Sequence, residues 1–217
     1  MHLYIAYKNY SSWSLRPWLA LKVAGIAFDE TLLPFWHSDG LDKLAAQYDI
    51  PAQVPVLVDE EHVIWDSLAI MEYVAELYPD SHLWPQDKWL RASARSASAE
   101  MHSGFMSLRS ECPMNCRSQK SKVVTPEIQA DLDRLQVIWE HFSAMDKPEG
   151  DFLCGQFSIV DAMYAPVMWR ISGYGLEVSA DFDKWIAAMK NLPAMQEWLA
   201  AAQQEEWVME SYEAMGD

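Results

Sequence analysis

The sequence predicts two domains of different class, an α/β domain over residues 1–80 and an all-helical domain over residues 88–217. Strand-like and helix-like runs alternate through the first part, whereas strand signals almost vanish beyond residue 87 and long helical periods take over. The stretch between the two parts, PDSHLWPQD at 79–87, holds two prolines and little apolar periodicity. Such composition is typical of a domain boundary, so residues 81–87 are predicted to be a linker.

The elements of the first domain are predicted in the order βαβαββα. Strand-like runs cover residues 2–7, 28–33, 54–59 and 62–66, and an acidic turn separates the last two. Apolar residues at helical spacing predict helices over residues 13–24, 41–48 and 66–78. Gly25 is placed to end the first of these helices and Pro79 to end the last.

The second domain is predicted to consist of helices near residues 86–110, 126–145, 158–171, 182–190 and 193–202. Its first part, residues 88–122, carries seven Lys and Arg side chains but only two acidic ones, in a chain of net charge -16. This basic segment is either a solvated helix face, which we favour, or a local field that attracts an anionic ligand.

Composition excludes several classes of protein. A net charge of -16 would repel a phosphate backbone, so nucleic acid is not an expected partner. No leader-like start and no apolar run of the ~20 residues that span a bilayer are found, which favours a cytoplasmic protein. The six histidines form no metal-binding motif. The three cysteines match neither a redox nor a zinc pattern and are expected to be thiols, with a Cys112–Cys116 disulfide as the alternative.

A serine-rich stretch, SSWSLRPWLALK at residues 11–22, lies where the first predicted strand gives way to the first helix. Ser11 or Ser12 can cap that helix, and the serines taken alone favour this role. A hydroxyl at a helix N-terminus can also donate to a thiolate, while the helix dipole favours the charged sulfur; together they lower a thiol pKa without a general base. Arg16 adds either a positive charge or a salt bridge to the second domain.

Two further motifs point to a ligand with a peptide backbone and an α-amino acid end. In QVPVLVD, residues 53–59, Pro55 opens a strand, and a cis bond after Val54 would turn the Val54 backbone outward for strand addition. In WDSLAIMEYV, residues 65–74, Asp66 and Ser67 begin a helix where free N–H groups suit a carboxylate and the Asp side chain suits an ammonium. Taken alone, the Pro55 signal is weak because X-Pro bonds are mostly trans, and Asp66 or Ser67 is more simply an N-cap.

These three motifs, in this order and at this spacing, resemble those of the cytosolic glutathione transferases over essentially the whole chain. The resemblance implies a thioredoxin-like N-terminal domain with a mixed sheet, followed by an all-helical domain. SSWSLRPWLALK is similar to the serine motif of the zeta class, although Trp13 stands where that motif has cysteine. Residues 99–117 resemble a bacterial subgroup of the family.

The resemblance implies roles for individual residues. Ser11 is expected to stabilise the thiolate of glutathione, with Ser12 as the alternative. The remaining glutathione-binding residues are expected to be Gln53, Val54, a cis Pro55, Asp66, Ser67 and His37. The stretch FSIVDAMYAPV, residues 157–167, is similar to the family's capping box, in which Ser158 and Asp161 have a structural role. The second substrate is expected to contact Met101, Phe105, Arg109, Tyr164 and Trp169.

The predicted function is therefore that of a glutathione transferase, which activates the thiol of glutathione for attack on a small hydrophobic or carboxylated electrophile. Glutathione is the expected co-substrate and no metal is expected. A glutathione-dependent isomerase of the maleylacetoacetate type, or a peroxidase, is the alternative enzyme. A non-catalytic glutathione-binding module is the alternative from another class. The family resemblance also implies a homodimer.

Overall fold

The computed structural model describes residues 1–34 and 38–216. The first part has the predicted order βαβαββα. Its elements are β1 His2–Ile5, α1 Ser12–Val23, β2 Asp29–Leu32, α2 Gly40–Tyr48, β3 Val56–Asp59, β4 His62–Trp65 and α3 Ser67–Leu77. A short 3₁₀ turn, Pro79–Ser81, follows α3 and leads toward the helical part.

The four strands form a mixed sheet in the order β2-β1-β3-β4. β1 is parallel to β2 and antiparallel to β3, and β3 is antiparallel to β4. Alternate residues of β1 face opposite sides, because successive side chains of a strand do so. Leu3 and Ile5 are fully buried with α1 and α3, whereas Tyr4 packs with Leu44 of α2 on the other side. The predicted thioredoxin-like fold of this part is confirmed.

The second part is helical, as predicted. Its helices are α4 Lys88–Ser103, α5 Met106–Glu111, α6 Pro126–Ser143, α7 Ile159–Tyr174, α8 Ala180–Asn191, α9 Pro193–Gln204 and α10 Glu210–Glu213. The prediction of one helix over residues 86–110 is wrong, because the helix is interrupted between α4 and α5. Phe105 lies in the left-handed region at φ 57°, and a Cβ on Gly104 would come within 2.8 Å of the Glu100 carbonyl oxygen. α10 was not predicted.

Helix α7 lies at the centre of the molecule. Nearly every residue of this helix is buried, so it shows no polar stripe. Ser158 caps its start, and the Asp161 carboxylate accepts hydrogen bonds from the Ser158 and Leu153 N–H groups and from Trp185 Nε1, at 2.9–3.0 Å. Burial raises the pKa of Asp161 to about 6, although these hydrogen bonds act in the opposite direction. The contacts are those of a capping box.

The two parts share one continuous hydrophobic core, which runs from the sheet through α1 and α7 to α9. Trp18 of α1 meets Trp198 of α9 edge to face, with ring centroids 5.0 Å apart. Arg16 of α1 is 1% exposed, and its Nε donates to the Met163 carbonyl of α7 at 2.9 Å. Arg16 thus bridges the two parts by a hydrogen bond to a carbonyl, where the sequence left a salt bridge as one alternative.

Most of the basic segment 88–122 is held by neighbouring acidic groups and carbonyls. Arg95 pairs with Glu72, and Lys120 pairs with Glu213. Arg117 donates to the carbonyls of Glu205 and Trp207. These contacts fit the interpretation of the segment as a solvated helix face, with the exception of Arg109, which is described below. Within the described ranges, no helix combines the length and apolar character that crossing a membrane requires.

Candidate functional site

A cleft of about 640 Å³ lies between the two parts of the chain. One wall is formed by the start of α1, the turn before β3 and the start of α3. The other wall is formed by α4, α5 and α7, and the segment around α10 closes one side. The cleft therefore collects all three motifs that the sequence singled out: Ser11 and Ser12, Gln53 to Pro55, and Asp66 with Ser67.

The first motif places two serines with different surroundings at the start of α1. Ser11 is the N-cap: its Oγ accepts from the Ser14 N–H at 3.3 Å and lies 2.7 Å from Ser14 Oγ. Ser14 is fully buried, and its Oγ accepts from the Ala6 N–H at 3.0 Å. The Ser12 hydroxyl makes no hydrogen bond to any residue that the structure describes. Capping thus engages Ser11 and leaves Ser12 open to the cleft.

The second motif presents backbone to the cleft. The Val54–Pro55 peptide bond is cis, and Pro55 is buried just before β3 begins at Val56. Across the described ranges, the N–H and C=O of Val54 take part in no hydrogen bond, although the residue is only half exposed. A free donor and acceptor on one residue is the arrangement that adds an extended peptide. Gln53, next to it, is exposed.

The third motif sits at the start of α3, where Asp66 is already engaged. Asp66 has φ 84°, a left-handed conformation that is strained for a residue with a side chain. Its Oδ1 accepts from the Leu68 and Ala69 N–H groups at 2.9 and 3.2 Å. Its Oδ2 lies 2.5 Å from Nε2 of His102, which belongs to α4 in the other wall. Asp66 therefore both caps α3 and ties the two walls together.

Ser67, the first residue of α3, differs from Asp66 in having an unused hydroxyl. The residue is 1% exposed and lines the cleft, yet its Oγ has no hydrogen-bond partner in the part of the chain that the structure describes. A buried polar atom without a partner costs about 1–3 kcal/mol. The positive end of the α3 dipole adds to the attraction for an anionic group, although the Leu68 and Ala69 N–H groups already donate to Asp66.

Of the five residues expected to contact the second substrate, Arg109 lines the cleft. The other four lie in the core at 0–8% exposure and are absent from the cleft wall among the described residues: Met101, Phe105, Tyr164 and Trp169. The Tyr164 hydroxyl, for example, donates to the Ala97 carbonyl at 3.1 Å within the helical packing. Helical spacing predicts that these side chains face the interior of the protein. It does not distinguish a side chain in the core from one that lines the cleft. The remaining predicted site residue, His37, lies outside the described residues.

Several cleft residues were missed by the sequence analysis. Trp13 lies beside His102, with ring centroids 5.2 Å apart. Tyr7 and Tyr10 come from the segment after β1, and burial raises the pKa of both phenols. Arg170 of α7, together with Met209 and Tyr212 near α10, completes the opposite side. Tyr10 and Trp13 flank the two serines in the chain, whereas His102, Arg170, Met209 and Tyr212 come to the cleft only through contacts between residues far apart in the chain, for which the sequence carries no local signal.

The protein's own thiols are unsuited to chemistry in this cleft. All three cysteines are free, and none of them lines it. Burial raises the pKa of Cys112 to about 11 and that of Cys154 to about 12, and it raises that of Cys116 further. Since the thiolate is the reactive form, these groups are inert at neutral pH. Within residues 1–34 and 38–216, no cluster of His, Cys, Asp and Glu is arranged to hold a metal ion.

The chain is similar to known proteins in sequence and in fold. Residues 10–77 match the family model for the N-terminal domain of glutathione S-transferases. A stringent starvation protein A homologue from Haemophilus ducreyi is 28% identical over 137 residues, which are 63% of this chain and 61% of that protein. A probable maleylacetoacetate isomerase from Caenorhabditis elegans is 26% identical over 82% of this chain and 81% of that protein. A Burkholderia glutathione transferase homologue, solved with bound glutathione, superposes with a TM-score of 0.72 at 21% identity and covers 94% of this chain and 98% of its own.

Proposed function

We propose that this chain, whose residues 10–77 match the family model for the N-terminal domain of glutathione S-transferases, is a member of that family, and that it binds reduced glutathione in the cleft and stabilises the thiolate for attack on a small electrophile. The observation that carries the proposal is the unpartnered, 1% exposed hydroxyl of Ser67 at the start of α3. A buried hydroxyl that lines a cleft without a protein partner is explained by a ligand that supplies one.

Glutathione matches the cleft unit by unit. Its γ-glutamyl end carries a carboxylate for Ser67 Oγ at the positive end of the α3 dipole, and an ammonium for the Asp66 carboxylate. Its cysteinyl unit carries a backbone N–H and C=O that pair with those of Val54. Its glycyl end then reaches the neighbourhood of Gln53. We expect Asp66 to share its Oδ2 between the ammonium and His102, because Asp66 and His102 both line the cleft.

The hydrogen-bond geometry around α1 favours Ser11 as the thiolate donor. Ser14 Oγ is buried, and its described neighbours are the Ala6 N–H, which donates to it, and Ser11 Oγ. The Ser14 proton is therefore satisfied only when it points to Ser11. Ser11 Oγ then accepts from Ser14, and its own proton is free to donate into the cleft. Accepting this bond also makes Ser11 a stronger donor. Ser12, with its unengaged hydroxyl, is the alternative.

The thiolate would attack an electrophile held by the second wall, where Met106, Met209 and Tyr212 supply apolar surface beside Arg109. The similarity to a maleylacetoacetate isomerase gives a second candidate reaction, in which the same thiolate adds to a cis-enone acid and leaves again. Both reactions need the Ser11 hydroxyl, so they differ in the electrophile and not in the thiol site.

The test combines glutathione binding with an activity panel covering an aryl halide, a hydroperoxide and a cis-enone acid. We expect Ser11→Ala to lose rate with little change in glutathione affinity, and Asp66→Ala to lose affinity. Ser96→Ala is the matched control, because Ser96 is exposed on α4 and donates only to the Ala92 carbonyl. Unchanged rates in both Ser11→Ala and Ser12→Ala would contradict the serine mechanism. Binding without turnover on the whole panel would favour the non-catalytic module.

A further inference from the structure

Three arginines lie close together at the wall of the cleft, and two of them pack against Trp13. The guanidinium carbons of Arg16 and Arg109 lie 4.3 and 4.8 Å from the centroid of the Trp13 ring. Arg170, from α7, is 5% exposed, and its Nη1 donates to the backbone carbonyl of Arg109 at 2.9 Å. Three positive charges are therefore held together in a chain whose net charge is -16.

Each of the three guanidinium groups is bound by neutral carbonyls. Arg109 donates to the carbonyls of His102 and Gly104, and Arg170 also donates to that of Cys112. Among the ion pairs of the described residues, none includes Arg16, Arg109 or Arg170. The acidic side chain that lines the cleft, Asp66, is already engaged by His102. Asp66 attracts Arg16 from a longer distance, but no carboxylate of the described residues forms a direct ion pair with the cluster.

Buried charges of one sign without a partner are costly, and the lowered pKa values of the three arginines reflect this cost. Burial lowers the pKa of Arg16, Arg109 and Arg170, and the repulsion between these groups lowers those of Arg16 and Arg170 further; for Arg170 the pKa falls to about 10. For stability alone, a carboxylate partner or an apolar side chain at these positions would be more favourable. A cluster that keeps its charge beside an open cleft is instead suited to an anion that arrives from solvent.

The donors needed for such an anion are present. Arg109 and Arg170 both line the cleft, and each uses Nη1 for its carbonyl contacts. Within the described residues, Nε and Nη2 of both side chains donate no hydrogen bond. A guanidinium presents these two N–H groups as a fork that fits the two oxygens of a carboxylate. The apolar side chains of Met106, Met209 and Tyr212 lie on the same side of the cleft.

We propose that the second substrate of this protein is a carboxylate-bearing electrophile, whose carboxylate is held by Arg109 and Arg170 while its unsaturated carbon skeleton lies against the apolar wall near Met209 and Tyr212. This inference rests on the proposed function for its reaction, because the thiolate supplies the chemistry. It goes beyond that proposal by selecting anionic over neutral electrophiles. Arg16, which is 1% exposed, contributes through its field rather than by contact.

Binding of a matched pair of probes tests the carboxylate subsite without relying on turnover. Cinnamate and cinnamamide share one skeleton and differ in the charged group. We expect cinnamate to bind about tenfold more tightly or better, since a charge-assisted hydrogen-bond pair contributes about 1.5–3 kcal/mol. Titration calorimetry measures both probes with and without glutathione. Equal affinity of the two probes would overturn the proposal.

Variants locate the effect. Arg170→Met should abolish the preference for cinnamate, and Arg109→Met should reduce it, while glutathione affinity stays within twofold of the wild type. Arg170 is buried, so its loss can impair folding. Arg109 is only half-buried, so its variant tests the proposal even if the Arg170 variant does not fold. Arg134→Met is the matched control, because Arg134 pairs with Glu100 on the surface and does not line the cleft. A preference that survives both cleft variants would overturn the proposal.

Two outcomes separate this inference from the proposed function. If both arginine variants weaken glutathione and cinnamate by the same factor, the arginines hold glutathione's own carboxylate and the inference is wrong, whereas the proposed function stands. If cinnamate is preferred through Arg109 and Arg170 but the protein binds no glutathione, the inference stands as an anion site and the proposed function is wrong.

Discussion

Ser67→Ala is expected to make the ligand-free protein more stable and the glutathione complex weaker. Ser67 Oγ is buried at 1% exposure without a described partner, so the folded protein carries a desolvation cost that an alanine methyl group does not. Removing that cost should raise the free energy of unfolding by about 1 kcal/mol. Ala also has a higher helix propensity than Ser at the start of α3, which acts in the same direction.

The same substitution should raise the dissociation constant of glutathione by about tenfold or more. The hydroxyl is expected to donate to the γ-glutamyl carboxylate, and a hydrogen bond to a charged group contributes about 1.5–3 kcal/mol, where 1.4 kcal/mol corresponds to a factor of ten. Urea denaturation of the ligand-free protein measures the first effect, and titration calorimetry with glutathione measures the second. The two changes have opposite signs, and a general loss of structure cannot produce that combination.

Ser98→Ala supplies a matched control. Ser98 is as buried as Ser67, but its Oγ donates to the Ala94 carbonyl at 2.8 Å inside α4, away from the cleft. Removing a satisfied hydroxyl gains nothing from desolvation, so no increase in stability and no change in glutathione affinity are expected. The reasoning is refuted if Ser67→Ala behaves like Ser98→Ala, or if it lowers the stability of the ligand-free protein.

Three further predictions concern the capping box and the bridge between the walls. Asp161→Ala should lower the free energy of unfolding by about 3 kcal/mol, because it leaves the N–H groups of Leu153, Ser158 and Trp185 unpaired in the core; wild-type melting combined with lost activity would contradict this structural role. Because the pKa of Asp161 is raised from 3.8 to about 6, the folded protein binds this proton more readily than the unfolded chain, so the residue's contribution to stability should fall as the pH rises through that window. Stability measured against pH should show a smaller decrease in Asp161→Asn, and equal slopes would argue against the raised pKa. His102→Ala should lower stability by no more than about 1 kcal/mol, as its contact with Asp66 is partly exposed; a double-mutant cycle with Asp66→Asn measures the coupling, and a coupling of zero would show that the two side chains do not tie the walls together.

The fold was predictable from the sequence because its signals are local. The alternation of β1, the Gly and Pro stops and the capping residues each act within a few positions, and they gave the element order of the first part correctly. The break between α4 and α5 was missed since the apolar period continues across it, and Gly104 with Phe105 ends α4 by backbone geometry alone. The four-residue α10 is too short to show a period.

The candidate site was predictable mainly on one side, with Arg109 as the predicted residue that lines the opposite wall. Ser11, Val54 and Ser67 lie at ends of strands and helices, where the local pattern fixes both the residue type and its exposure. The opposite wall depends on how α4, α5 and α7 pack, so Arg170 and His102 could not be found, and Met101 and Tyr164 were expected in a cleft when they pack in the core. Apolar residues at helical spacing face inward in either case.

The central claim is that this cleft binds glutathione and stabilises its thiolate through Ser11. The most direct measurement is an ultraviolet titration of the thiolate in the complex between the protein and glutathione, for the wild type and for Ser11→Ala. We expect the bound thiol of the wild type to ionise at least about one pKa unit below the value of about 8.5 that an ordinary thiol has, and we expect Ser11→Ala to restore most of that difference. A bound thiol with an unshifted pKa in the wild type, or an equal shift in Ser11→Ala and the wild type, would contradict the account.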